Sequence, residues 1–376
     1  MARPDAIVLG LGAMGSAAVH RLALRGLRVI GLEQHTAPHT LGSSSGESRV
    51  IRLAYFEDPR YVPLARRAYQ LWQALEGEAG EGLLSPSGCL NIGPPDHEHI
   101  RGVLAASELH GLACERLDAA EMRRRFGALR VADADIGVYE EAAGILRPER
   151  CVAAQLAAAE RLGVRLLQRE RVVSVTATVD GVRVVSERDR YQAGALVVCA
   201  GPWLVDPDSP VRIEAPLHAE RQVQLWFAPR RPELHAPGRL PVFIHFDGDR
   251  IFYGVPQVHE PGIKVCRHHA GARVLPSTVD RVVHPADVED VREFLRRHLP
   301  DTDGEPVRSA VCMYTNTPDL NFLIGPHPTL PRVFVAGGFS GHGFKFAPVV
   351  GEILADLVSQ GRTAYQVEHF DPRRFL

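Results

Sequence analysis

The chain has 376 residues, enough for one large domain or two interleaved ones with a substantial core. Its 45% hydrophobic and 23% charged residues and net charge of −2 describe an ordinary soluble globular protein, and the densest arginine cluster, "RRRF" at 123–126, is too short to line a nucleic-acid groove. No apolar run approaches the ~18 residues that span a bilayer, so neither nucleic acid nor a membrane is an expected partner. The N-terminus enters a strand almost at once, which leaves no room for a signal peptide and makes the cytoplasm the expected location. The cysteines at 89, 114, 151, 199, 266 and 312 form no C-x-x-C pair, so neither a zinc site nor a disulfide framework is expected, and no metal is assigned.

Residues 5–33, "DAIVLGLGAMGSAAVHRLALRGLRVIGLE", read as strand, glycine turn, helix and strand. Gly10, Gly12 and Gly15 form G-x-G-x-x-G. Gly10 permits the tight turn, Gly12 lets backbone approach a pyrophosphate, and Gly15 allows the helix to pack closely. The helix, expected from about Ala13 to Arg25 and ended by Gly26, opens with Ala13 and Met14, whose end of the helix offers free N–H groups to phosphate. Glu33 closes the second strand, eighteen residues beyond Gly15, where it can accept from ribose hydroxyls. The unit is expected to bind a dinucleotide containing adenosine diphosphate.

The next segment, "HTLGSSSGESRVIRLAY" at 39–55, has small polar residues and then Arg49 and Arg52 where a nicotinamide enzyme would continue with another helix and strand. "HEH" at 97–99 reads as a solvated loop without a metal role. "GALVVCAGPW" at 194–203 is an apolar strand ending in a sharp turn, and "SAVCMYTNTPD" at 309–319 sets Cys312 in a strand stopped by proline. Alone, Cys312 reads as a buried inert thiol. "RVFVAGGFSGHGFKFAPVVGEILADLV" at 332–358 is a further strand, glycine-rich turn and amphipathic helix. Nucleotide-domain pieces thus recur at the start, middle and end of the chain. The expected fold is α/β plus α+β, with a discontinuous Rossmann-like domain (1–85, 145–215 and 320–376) interleaved with a mixed or antiparallel-sheet substrate domain (86–144 and 216–319).

Over nearly its whole length the chain resembles the monomeric sarcosine oxidase and N-methyltryptophan oxidase family, FAD-dependent amine oxidases of the D-amino-acid-oxidase structural group. The resemblance rests on "GLGAMGSAA", "GESRVIRLAY", "YVPLARRAYQLW", "CMYTNTPD" and "GFSGHGFKF", in that order. It implies FAD joined to Cys312 as an 8α-S-cysteinyl thioether, and a substrate carboxylate held by Arg52 and Lys345, a guanidinium fork beside a point charge. It also implies that Arg49 lies near the isoalloxazine ring, that Tyr253 and His268 line the pocket, and that Lys264 assists the reaction with O₂. Ser43, Ser44, Val172, Ala200, Gly201, Trp203, Gly341 and Gly343 join the glycine turn, Glu33, Arg49 and Lys345 as residues expected to touch FAD.

The implied activity is oxidation of a secondary, N-methyl amino acid to an imine, which hydrolyses to an aldehyde and the primary amino acid, with H₂O₂ formed from O₂ by a monomer. Cyclic amino acids (proline, pipecolate) and sugar-modified ones would use the same clamp, and a flavin dehydrogenase with another acceptor is the remaining enzymatic alternative. A non-catalytic flavoprotein would be expected to lack the clamp or the cysteine, and both are present. The sequence departs from the family at Ser44 and Ser45, where sarcosine oxidases carry two histidines.

Overall fold

The computed structural model describes residues 3–258 and 261–376. Strand β1 (Ala6–Leu9) is buried at all four positions because it has parallel neighbours on both sides, Ala6 pairing with Val29 of β2 (Val29–Glu33) and with Ala195. Such a strand is apolar throughout rather than alternating. These strands belong to a six-stranded sheet in the order Leu323–Pro326, Val333–Gly337, Ala195–Val198, β1, β2, Arg165–Gln168, parallel except at the first pair. Helix α1 (Ala13–Leu24) leaves β1 through the glycine turn and packs against the helices Pro148–Arg161 and Ala347–Gln360. It stops where expected: Gly26 takes the left-handed conformation, φ +78°, and its N–H bonds Ala23 O at 2.8 Å while Leu27 N–H reaches back to Leu22 O.

A nine-stranded, mostly antiparallel sheet stands beside this layer. Its longest pairing joins His218–Phe227 to Pro306–Asn316, with Gln222 opposite Cys312. Alternation along these strands separates two faces. Leu225, Phe227, Phe243 and Phe252 pack with Phe294 and Leu295 of the helix Pro285–His298, forming a second core. The opposite face carries Tyr253 and Tyr314 towards the six-stranded layer. A short three-stranded sheet contains β3 (Arg49–Ile51), whose Arg49 pairs with Leu146. Helix α2 (Tyr61–Ala79) follows it.

The fold is therefore the expected mixture of a Rossmann-like α/β layer and a mostly antiparallel sheet. One local expectation fails. "HEH" is not a loop: His97 N-caps the helix Glu98–His110, its Nδ1 accepting from His99 N–H at 3.2 Å, and its ring stacks on Phe246. Ring stacking and capping hold these histidines half-buried against the protein. Among the described residues no helix is long and apolar enough to cross a membrane.

Candidate active site

Two cavities share the wall formed by Arg49, Tyr314, Gly341 and Phe344. The larger, about 380 Å³, is lined by Gly10, Gly12, Ala13, Met14, Glu33, Ser43, Ser44, Val172, Ala200, Gly201, Trp203 and Gly343. Every residue expected at the nucleotide is there except Gly15, Cys312 and Lys345. Gly15 acts from behind: a Cβ on it would collide with the Gly10 carbonyl oxygen, so only glycine lets α1 start so close to β1.

Glu33 is nearly fully buried. Its Oε2 accepts from Leu11 N–H and its Oε1 from His35 N–H, both at 2.8 Å, while His39 Nε2 lies 3.5 Å away. Burial works to raise its pKa, but these hydrogen bonds outweigh it and hold the carboxyl below its ordinary value. An ionised carboxylate has about four lone-pair sites, so it retains acceptors for a ribose. The α1 N-terminus, with no acidic residue in its first turn, faces the same cavity. The acceptor at one end, the helix N-terminus and the close-approach glycines suit the adenosine diphosphate half of FAD.

The "GSSSGES" segment owes its shape to two consecutive left-handed residues, Gly46 (φ +100°) and Glu47 (φ +69°). That turn aims backbone carbonyls inward at two cations. Arg49 donates to the carbonyls of Ser43, Ser45 and Ser48, and Lys264 Nζ to those of Gly46 (2.9 Å) and Ser48 (3.4 Å). Ser44 Oγ accepts from Ala13 N–H at 3.1 Å, and Ser43 Oγ donates to Met313 O at 2.6 Å. The serine at 44 thus ties this loop to the first turn of α1.

Cys312 and Lys264 line neither cavity. Both adjoin residues that do: Met313 and Tyr314 follow Cys312 in sequence, Gln224 of the smaller cavity donates through Nε2 to Cys312 Sγ at 3.3 Å, and Lys264 bonds the carbonyl of Ser48. Burial raises the Cys312 thiol, and Arg49 and Lys264 pull against that rise. Burial and the Arg49 charge bring Lys264 down to about 8.

The smaller cavity, about 100 Å³, contains Arg52, Lys345, Tyr253 and His268, the four pocket residues expected from the sequence besides Arg49. Arg52 is buried and already engaged: Nη2 donates to both oxygens of Glu57 at 2.8 Å and Nη1 to Ala54 O at 2.6 Å. Burial opposes its charge, but the Glu57 carboxylate more than offsets this. Lys345 is lowered to about 7, first by burial and then by Arg52, with Glu57 pulling the other way. His268, lowered well below its ordinary value by burial and the neighbouring His269, remains neutral and shares a 3.1 Å hydrogen bond with Tyr314.

Glu57, Tyr314, Gln224 and His342 were not picked out from the sequence. Tyr314 had a readable signal, because it follows Cys312 by two residues on a strand and so shares its face. Glu57 had none, since only the turn after β3 brings it to Arg52.

A family model for FAD-dependent oxidoreductases matches residues 5–357. A monomeric sarcosine oxidase from Streptomyces avermitilis is 44% identical, covering 98% of this chain and 97% of its own length. An N-methyl-L-tryptophan oxidase from Salmonella arizonae is 34% identical, covering 99% of both chains. Among solved structures, NikD, an unusual amino acid oxidase of nikkomycin biosynthesis, superposes with a TM-score of 0.86 at 26% identity, over 99% of this chain and 98% of that one.

Proposed function

Because the chain belongs to the family of FAD-dependent oxidoreductases, in its sarcosine oxidase and N-methyltryptophan oxidase branch, we propose that the smaller cavity receives an N-methyl amino acid beside FAD held in the larger one. The protein is an FAD-dependent amine oxidase. The observation that carries the reading is the placing of two buried cations, Arg52 and Lys345, in a small cavity that shares Arg49, Tyr314 and Gly341 with the nucleotide cavity. Bound FAD would supply the redox chemistry: the amine gives up a hydride from the C–H beside nitrogen and the N–H proton, and O₂ takes up the two electrons and two protons to leave as H₂O₂.

The chain's own groups bind, orient and hold charge. Below about pH 7, where Lys345 is charged, Arg52 and Lys345 carry +2 against −1 on Glu57, so the pocket attracts one carboxylate and is left near neutral once it is filled. Neutral His268 can accept a hydrogen bond from the substrate amine without adding charge. Arg49 and Lys264 add positive charge on the nucleotide side, which favours an uncharged amine over an ammonium. The imine product hydrolyses in water, so an N-methyl substrate, O₂ and H₂O give the primary amino acid, formaldehyde and H₂O₂.

A cavity of about 100 Å³, walled by Phe56, Tyr253 and His268, supports a small substrate such as N-methylglycine over one bearing an indole or a sugar. The test is a peroxide assay of the flavin-loaded enzyme against N-methyl, cyclic and sugar-modified amino acids. We expect N-methylglycine to give peroxide and formaldehyde in equal amounts. Peroxide from cyclic amino acids alone would overturn the substrate assignment.

Three finer assignments go with this reading. Cys312 carries the flavin through an 8α-thioether, supported by its place beside Met313, Tyr314 and Thr315 of the cavity wall and by the two cations near its sulfur. Lys264 serves the reaction with O₂ from behind the Gly46 turn, and the enzyme acts as a monomer, as the name of the Streptomyces relative says of that protein. The division into an FAD domain (1–85, 145–215, 320–376) and a substrate domain (86–144, 216–319) is supported by strand membership: all strands of the six-stranded sheet fall in the first set and all of the nine-stranded sheet in the second.

A further inference from the structure

We infer that Tyr55 and His342 are positioning residues for the carboxylate clamp: with the Leu320 carbonyl they form a one-way hydrogen-bond chain that fixes Lys345 and leaves one ammonium N–H for the substrate. The inference rests on the reading of Lys345 as a carboxylate ligand.

The direction of the chain follows from which atoms can donate. Leu320 O lies 3.0 Å from His342 Nε2 and can only accept, so Nε2 carries the hydrogen. In the neutral ring Nδ1 is then an acceptor. Tyr55 Oη, 2.7 Å away, must donate to it. With its own hydrogen committed, the Tyr55 oxygen accepts from Lys345 Nζ at 3.2 Å. A second Lys345 N–H goes to His342 O at 2.7 Å, and Trp72 Nε1 donates to Lys345 O at 2.8 Å, which pins the backbone. An ammonium has three donors; two are committed and one remains. Lys345 and His342 line the smaller cavity, but both ring nitrogens of His342 are engaged, by Tyr55 Oη and Leu320 O, and Tyr55 is fully buried and lines neither cavity. Tyr55 therefore acts through Lys345 rather than on the substrate.

Burial holds His342 at about 4, so the ring stays neutral and the chain keeps one direction over the working range. Leu320, itself in a left-handed conformation (φ +56°), sits in the turn after Asn316 and anchors the far end. The groups facing Lys345 are Arg52 and Glu57 from the segment after β3, Cys89 from the strand Cys89–Gly93, and His268 from the strand Ile263–His268, while Tyr61 of α2 stacks on Tyr55. Arg52 disfavours the ammonium and Glu57 favours it. The Tyr55 oxygen accepts from either form of Lys345, but the bond from the charged donor is the stronger, so it favours the ammonium.

The test is calorimetric titration of the flavin-loaded enzyme with acetate, and with acetamide as the neutral control, from about pH 6 to about pH 9. Wild-type affinity for acetate should fall as pH rises through about 7, where Lys345 loses its charge. Tyr55→Phe keeps the ring stack and removes the acceptor. It should move that fall about one pH unit lower, the shift expected for a roughly tenfold loss in stabilisation of a charged donor, and leave acetamide unaffected. His342→Leu should move the fall in the same direction, and His342→Asn, whose amide oxygen can accept from Tyr55, should restore the wild-type position. Unmoved profiles in Tyr55→Phe and His342→Leu, with acetate binding lost in Lys345→Gln, would overturn the inference and spare the clamp. Unchanged acetate binding in Lys345→Gln would overturn the clamp, and the inference with it.

Discussion

Replacing Glu57 by glutamine should tighten carboxylate binding although it removes a buried ion-pair partner. Glu57 accepts from Arg52 Nη2 with both oxygens at 2.8 Å, and the pair is largely buried, with side-chain exposures of 4% for Arg52 and 19% for Glu57. A substrate carboxylate on the other edge of the guanidinium would lie about 7 Å from that of Glu57, where like charges repel by about 2 kcal/mol at an effective dielectric of ~20. The amide oxygen of glutamine can still accept from Nη2 and keep Arg52 oriented, so a net gain of about 1 kcal/mol, roughly fivefold in affinity, should survive. The charge of Glu57 also raises the pKa of Lys345, which sits at about 7. Without it Lys345 deprotonates at lower pH, so the gain should appear near pH 6 and shrink or vanish above pH 8. Titration with acetate at both pH values, with acetamide to control for packing, measures this. Unchanged or weaker acetate binding near pH 6, with acetamide unaffected, would show that the carboxylate does not meet Arg52 beside Glu57.

Three further outcomes follow from the same geometry. Lys264→Met should slow reoxidation of the reduced enzyme by O₂ and spare its reduction by substrate, and in the wild type the oxygen step should slow as pH rises through about 8, where Lys264 loses its charge; stopped-flow measurement of the two half-reactions separates them, and equal slowing of both would remove the oxygen role. Cys312→Ala should leave a folded protein whose yellow colour passes to the supernatant on acid precipitation, while the wild-type colour stays in the pellet. Gly15→Ala should prevent FAD retention or folding, because its Cβ would meet the Gly10 carbonyl oxygen, and a variant with wild-type flavin content and thermal midpoint would contradict the packing account.

What the sequence made legible is what local chemistry determines. The glycine turn, α1 with its Gly26 stop, and Glu33 are set by neighbours within about thirty residues, and each stands where the residue types require. Arg52, Lys345, Tyr253 and His268 line one cavity, although three separate parts of the chain supply them. What was not legible depends on distant partners. Glu57 matters only because the turn after β3 folds it onto Arg52, and His97 is half-buried because Phe246, far off in the chain on the strand Val242–Asp247, offers it a ring. The serines at 44 and 45 stand where the resemblance implies histidines. In the fold Ser44 joins the loop to α1 through Ala13, a role that spacing alone does not disclose.

The account is tested most directly by mixing the flavin-loaded enzyme with N-methylglycine in the absence of oxygen and following the flavin absorbance. Bleaching by N-methylglycine, greatly weakened in Arg52→Ala and Lys345→Gln and reversed by admitting O₂, is the expected result. Flavin that stays oxidised with N-methylglycine, or is bleached equally well in the two variants, would contradict the clamp and the substrate class together.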